Sequence, residues 1–446
     1  MSKPAPGPRW YNAVWRWHFY AGLFCIPLVL WLSLTGSIYL WKPQIEALID
    51  RPYAHLAKTG SRASAAAIAG AAVRVVPGSV LHRYQLPDTA AQAVQVIVGR
   101  KGVETRVYVD PHSLAILKQV REDDRLMRWV FRLHGELMIG DPGSWIVETA
   151  ACWAIVMILT GAYLWWPRAT TGLGGVLWPR LDLSGRGFWR DIHAVTAIWI
   201  SVLALGLILT GLPWANVWGG YLKQIRYATG TIDSPQDWTT SSNAGRMKMM
   251  GDHAEHGGMT MDHLLTDYRP LDRIIPNVAP LGLAAPVLIA PPAAHDDLWT
   301  AKSDAADRPL RTNLTVDGVS GTIVGRKDFA DRHWIDRAVG YGVAAHEGQL
   351  FGLANQLLGV VAALGLFVTA FSGGVLWWRR RSVGLLGAPP ALSRPKGGVA
   401  LIGGILLLGL LFPMFGGTLL LVLAIDIFVL RRIAPVSRWL GLRACA

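Results

Sequence analysis

Four stretches of this chain set a histidine and a glycine at fixed separations, and the separations fall into two matched pairs. Gly36 follows His18 by 18 residues, and Gly211 follows His193 by 18. Gly161 follows His134 by 27 residues, and Gly373 follows His346 by 27. Aromatics keep the same step: Tyr39 and Trp214 lie 21 residues after His18 and His193, and Trp165 and Trp377 lie 31 after His134 and His346. An internal repeat constrains a fold more than any local signal does. Each copy also lies in or beside a long apolar run. No charged residue occurs between Phe19 and Trp41, and about 20 apolar residues suffice to cross the hydrocarbon core of a bilayer.

Hydrophobic residues make up 52% of the 446, and 21 are tryptophan. With several long uncharged runs, this predicts a polytopic helical membrane protein. The net charge of +13 raises the question of a nucleic-acid partner. Its distribution removes that reading. Segments 1–17, 167–190, 379–397 and 431–446 hold 16 Lys and Arg against the single acid Asp182, while the remaining chain has 27 bases and 29 acids. Basic residues concentrated in short loops on one side mark the cytoplasmic face, so both termini are expected there. Cys25, Cys152 and Cys445 offer no disulfide framework for the outer segments. The N-terminal apolar run is too long for a signal-peptide core and reads as an uncleaved anchor.

The expected order is as follows. Residues 1–41 form a cytoplasmic start and first span, and 42–133 a periplasmic module. Residues 134–166 form a periplasmic-side segment and second span, ending at the interfacial pair Trp165-Trp166. A cytoplasmic loop, 167–190, leads to a third span at 191–213. Residues 214–345 are a second periplasmic module, 346–378 the fourth span and 379–397 a cytoplasmic loop. A hairpin of two further spans fills 398–430, before a tail at 431–446. Each module reads as α+β. In the first, a helix at 65–76 precedes alternating, strand-like runs at 79–85, 93–99, 105–109 and 113–120. The second has strand-like runs at 287–290, 298–302, 311–316 and 320–326. The pattern V-D-x-x-S-x-x-I occurs in both, at Val109 to Ile116 and at Val316 to Ile323. The fold class is therefore two parallel copies of span, α+β module and span around a four-helix core, plus a C-terminal hairpin. Parallel repeats in a membrane are related by an axis along its normal.

Ionisable residues at membrane depth are uncommon and usually functional. On this topology His18 and His193 share the cytoplasmic level, and His134 and His346 share the periplasmic one. Two imidazoles facing each other between helices of a bundle suit a bis-histidine haem, so two layers imply two haems b. Gly36 and Gly211 lie about 27 Å along their helices from His18 and His193, which sets them near the outer pair. Gly161 and Gly373 lie about 40 Å from His134 and His346 by the same rise, near the inner pair. A glycine lets a flat macrocycle approach the backbone. A single histidine at a span end reads better as an interfacial side chain, but four in two matched layers favour ligation.

Other features carry less. Met247 to His263 is rich in Met and His, and His253, His256, His263, Met259 and Met261 form a candidate periplasmic metal site suited to Cu(I). A loop insertion without a site is the preferred reading, since the first half has no counterpart. Glu148 and Asp426 interrupt apolar runs and read as structural hydrogen-bonding groups. Arg332-His333-Trp334 precedes the fourth span and is placed to face an outer substrate. His55, His82, His112 and His295 read as solvated loop residues. No dinucleotide or phosphate-loop fingerprint occurs, so electrons must come from a separate donor.

Four motifs carry a resemblance: W-R-W-H…L-T-G at His18 to Gly36, L-H-G-E-L…L-T-G-x-Y-L-W-W at His134 to Trp166, W-R-D-I-H…L-T-G from Trp189, and H-E-G-Q-L-F-G…S-G-G-V-L-W-W from His346. The chain resembles the PepSY-associated transmembrane helix family over about residues 10–380. These are bacterial inner-membrane proteins related to iron-regulated ferric-siderophore reductases. The resemblance implies PepSY-like outer modules, b-type haems and outward electron transfer. The donor would be cytoplasmic or a quinol, and the acceptor a periplasmic ferric siderophore or other metal chelate. The Met/His insert departs from the family pattern. Two other readings compete: a metal or chelate permease whose histidines line a path, and a tethered PepSY binding module without chemistry.

Overall fold

The computed structural model describes residues 6–57, 60–167, 172–231, 267–292, 297–392 and 398–442. Five helices in it are long and apolar enough to cross a membrane: Trp10–Tyr39, Asp141–Trp165, Gly185–Trp214, Gly352–Arg380 and Pro413–Leu430. The chain divides into two compact units. One holds residues 1–38, 134–225 and 357–446, and the other holds 39–133 and 226–356.

The first, or membrane, unit is built from α1 (Pro6–Tyr39), α5 (Asp141–Trp165), α6 (Gly185–Gly211) and α10 (Gly352–Arg380), with α11 (Val399–Leu411), α12 (Pro413–Ile425) and the short α13 (Ala434–Trp439). Large apolar side chains such as Trp199, Val202 and Leu209 on α6 point outward, as expected where the surroundings are lipid rather than water. Helix α12 packs on α5 through Phe415, whose ring centre lies 5.1 Å from that of Trp153, and Trp153 donates to Thr418 at 3.0 Å. At Gly365, α10 meets the Ile200 side chain of α6 so closely that a Cβ would lie 2.3 Å from it.

Two features differ from the sequence reading. Among the described residues, five helices rather than six reach spanning length. Helix α11, one arm of the expected hairpin, has 13 residues. At 1.5 Å per residue it extends about 20 Å, short of the roughly 30 Å hydrocarbon core. Pro413 opens α12 and bars the preceding Phe412 from helical geometry, which ends α11 there. The second difference concerns His134 and His346. Neither lies on a spanning helix. His134 is near the end of α4 (Leu126–Gly135), and His346 ends α9 (Trp334–His346). Left-handed residues break the chain after each: Leu137, Met138 and Gly140 before α5, and Gly348 and Gly352 before α10. The 40 Å estimate from continuous helical rise therefore does not hold. Gly143 makes the first break possible, since a Cβ there would lie 1.7 Å from the Glu136 carbonyl oxygen.

The second, or sheet, unit holds an antiparallel sheet of eight strands: β1 (Val80–Gln85), β2 (Val94–Arg100), β3 (Val103–Val109), β4 (Ile116–Arg121), β5 (Val287–Ala290), β6 (Leu298–Ser303), β7 (Thr312–Asp317) and β8 (Ile323–Asp328). Their order is β4-β3-β2-β1-β5-β6-β7-β8. The sequence gives two small sheets; the structure joins them through β1 and β5, where Tyr84 pairs with Ile289 and Gln85 with Leu288. Both halves carry the same local device. Ser113 donates to Asp110 at 2.7 Å and Ser320 to Asp317 at 2.9 Å, and a register shift falls at Tyr108/Val109 and again at Thr315/Val316. Helices α3 (Ala65–Val75) and α8 (Pro270–Val278) cover the sheet with Ile68, Ala72, Leu271 and Ile274 against Val96, Val107, Ile289 and Trp299. Ser64 caps α3, and the Ala66 amide donates to Asp272 of α8 at 3.1 Å. The remaining helices are α2 (Lys42–Asp50) and α7 (Asn216–Ala228), which crosses from one unit to the other.

Candidate functional site

In the membrane unit, His18 of α1 and His193 of α6 face each other, with ring centres 6.4 Å apart and planes at 79°. The other two long helices hold these rings from behind. His18 Nδ1 lies 2.9 Å from Thr160 Oγ1 on α5. His193 Nδ1 donates to the Thr369 carbonyl on α10 at 2.9 Å, with Ser372 Oγ at 3.4 Å. The next residue in each case is a glycine. A Cβ on Gly161 would lie 3.2 Å from His18 Cε1, and one on Gly373 would lie 3.3 Å from His193 Cε1. Four helices thus converge on one pair of imidazoles, and the two glycines leave room for the rings themselves.

The same arrangement recurs around His134. Its Nδ1 lies 3.0 Å from Thr35 Oγ1, and a Cβ on Gly36 would lie 3.1 Å from its Cε1. Gly36 is thus at His134 and Gly161 at His18, despite the break in the chain between His134 and α5. Gly211 ends α6 behind Thr210, and His346 ends α9 in the sheet unit, half-buried.

The separation of the inner rings can be compared with what one metal ion needs. A ring nitrogen bonds a first-row metal at about 2.0 Å and lies about 1.1 Å from its ring centre, so two imidazoles on opposite sides of one ion stand about 6.2 Å apart, centre to centre. The observed 6.4 Å fits. Each Nδ1 is engaged, so Nε2 is the ring nitrogen that could bind a metal.

Residues the sequence did not single out secure this region. Asp191 lies two residues before His193 and has no solvent exposure. It accepts from Arg180 at 2.7 Å and from Arg190, tying the 173–180 loop to the start of α6. Trp165 and Trp199 donate to the Val176 and Leu177 carbonyls of that loop at 2.9 and 2.8 Å. In the sequence Asp191 stands inside W-R-D-I-H, between Arg190 and His193, with nothing local to mark its burial. Thr35, Thr160 and Ser372 stood beside the glycines, but their partners lie on other helices and leave no local trace.

The other candidates have structural partners. Glu148 accepts the Val217 and Trp218 amides at the start of α7, both at 2.9 Å. Asp426 pairs with Arg431 at 2.8 Å. His333 caps α9 by accepting from the Ile335 amide at 3.2 Å. His82, expected to be solvated, lies instead across Gly99 and 2.9 Å from Glu104. Burial alone would raise the Glu104 pKa, but His82 and Arg83 outweigh it and hold it below the usual glutamate value. His253, Met259 and the rest of the Met/His set, together with His295, lie outside the described residues. Among the described residues, no three His, Cys, Asp or Glu side chains form a metal-ligating cluster.

Long apolar helices, a separate α+β unit and histidines seated at span level define a polytopic helical membrane protein. It belongs to the PepSY-associated TM region family, whose profile matches residues 15–380. No curated protein matches the chain.

Proposed function

We propose that this protein is a transmembrane oxidoreductase with two bis-histidine b haems. It would carry electrons from a cytoplasmic or quinol donor to a periplasmic ferric chelate, with ferric-siderophore reduction as its role. The facing of His18 and His193 at 6.4 Å, each ring engaged through Nδ1, carries the reading. The same hydroxyl and glycine pairing at His134 supports a second centre, for which the spacing repeat in the sequence would make His346 the other ligand. A haem bound at each pair would supply a one-electron Fe(III)/Fe(II) couple. The chain's own part would be to hold His18 and His193 through Nδ1, to seat the rings of His18, His134 and His193 against glycine, and to surround the inner pair with apolar helices. Two parallel repeats around a four-helix core would place one centre near each membrane face. On the positive-inside rule, the basic loops favour a cytoplasmic side for the His18 level, and the outer modules would then lie in the periplasm of an inner membrane. Reduction to Fe(II), a softer ion, weakens a hard-oxygen chelate and releases the metal.

The visible spectrum of the purified full-length protein tests this. A reducible low-spin b-type band with two haems per chain is expected. A colourless preparation from haem-replete cells overturns the proposal and leaves a permease or a binding module.

A further inference from the structure

The hydroxyls that precede the glycines each have a second contact, and it determines where the histidine protons are. Thr160 Oγ1 lies 2.7 Å from the Val156 carbonyl, and Thr35 Oγ1 lies 2.9 Å from the Trp31 carbonyl. A carbonyl oxygen accepts only, and a hydroxyl has one hydrogen to give. With that hydrogen committed to the preceding turn, the hydroxyl can only accept from the imidazole. His18 and His134 must therefore carry the proton on Nδ1 and the lone pair on Nε2. The opposite tautomer would set two acceptors, the Nδ1 lone pair and the committed hydroxyl oxygen, against each other at 2.9 Å. His193 reaches the same state by another route, since its Nδ1 partner is the Thr369 main-chain carbonyl. Ser372, in the matching place, is 3.4 Å from Nδ1 and donates to Val368 and Thr369 carbonyls. Thr210 donates to the Gly206 carbonyl at 2.7 Å, so its hydroxyl is likewise free only to accept.

We infer that Thr160 and Thr35 are positioning residues that fix the Nδ1–H tautomer of His18 and His134, whereas Ser372 is dispensable for His193 because the backbone does that work. The chemical consequence rests on the haem reading above: an acceptor on Nδ1 raises the basicity of Nε2 and so strengthens it as a donor to ferric iron. The tautomer itself does not rest on haem.

The experiment uses full-length protein with Thr160→Val, Thr160→Ser, Thr35→Val and Ser372→Ala. Imidazole 15N shifts of haem-depleted protein read the tautomer directly. His18 is expected as Nδ1–H in the wild type and the Thr160→Ser variant, but not in Thr160→Val. In haem-loaded protein, Thr160→Val is expected to weaken retention at one centre by about 10- to 100-fold and to move its midpoint potential upward. Thr160→Ser restores both, and Ser372→Ala changes neither. The second centre is the internal control for folding, and Thr35→Val gives the reciprocal pattern. An unshifted tautomer and potential in both valine variants, or a Ser372→Ala effect as large as that of Thr160→Val, would overturn the inference. A colourless wild type with the expected tautomers would instead overturn only the haem reading.

Discussion

Gly161 leaves the space that His18 fills: a Cβ there would lie 3.2 Å from the imidazole Cε1, closer than side chains normally pack. Replacing a mid-helix glycine by alanine ordinarily stabilises a helix by about 1 kcal/mol. If the protein holds two haems as proposed, Gly161→Ala is expected to do the reverse at this centre, and Gly161→Val more strongly, lowering haem per chain from two toward one while insertion persists. Haem-to-protein ratios on membrane-inserted protein check it, and two haems retained in Gly161→Val would show that the ring does not need the gap.

His18→Ala is expected to lose about half of the bound haem, because His18 and His134 belong to separate centres on the reading above. His193→Ala should match it, and His18→Ala combined with His193→Ala should lose no more than either alone. A further loss in the double variant would mean that the two histidines serve different groups. The readout is haem content, with the spectrum of the remaining centre unchanged.

Glu148 holds the first amides of α7. Glu148→Ala orphans both donors in an apolar setting, at about 1–3 kcal/mol each. A lowered unfolding temperature in detergent is expected, and Glu148→Gln, which keeps an acceptor, should fall between the alanine variant and the wild type. Equal losses in Gln and Ala would mean that the negative charge, not the acceptor, matters.

Arg226 and Asp336 form a bidentate pair in the sheet unit, with Arg226 only 1% exposed. Removing one partner strands a buried charge, so Asp336→Ala is expected to cost about 3–5 kcal/mol, and the apolar double variant Arg226→Met with Asp336→Leu far less. Denaturant unfolding of the wild type and the two variants checks this. A double variant as unstable as the single one would locate the cost in lost shape rather than in charge.

Acid should loosen the sheet unit through Glu122. Burial by itself would raise its pKa, but Arg106 and Arg125 outweigh that and hold it below its ordinary 4.5. A depressed folded-state value contributes stability above the unfolded pKa, and that contribution is lost as pH falls through the folded one. Unfolding midpoints should therefore drop below about pH 4.5, with a smaller drop in Glu122→Gln. An identical pH profile in that variant would assign the acid sensitivity elsewhere.

Much of the fold was legible because its signals are local. The uncharged runs located the long helices, although α1 begins at Pro6, well before the run that starts at Phe19, and alternation gave strands such as Val287–Ala290. Spacing led to Gly161 and Gly373, although the reasoning by continuous rise failed at the breaks that Leu137, Met138 and Gly348 impose. What was missed is non-local. The duty of Thr160 depends on a ring carried 142 residues away. Helix α8 begins at Pro270 and contains Pro276, which masks its apolar face. The length of α11 depends on where Pro413 stops it, and hydrophobicity alone does not reveal that.

The β1–β5 seam has one more consequence. It joins antiparallel the two strands that hold the same place in their halves of the sheet. That is how identical subunits meet across a twofold axis, each offering the other the same edge. The seam is thus a dimer interface written into one polypeptide.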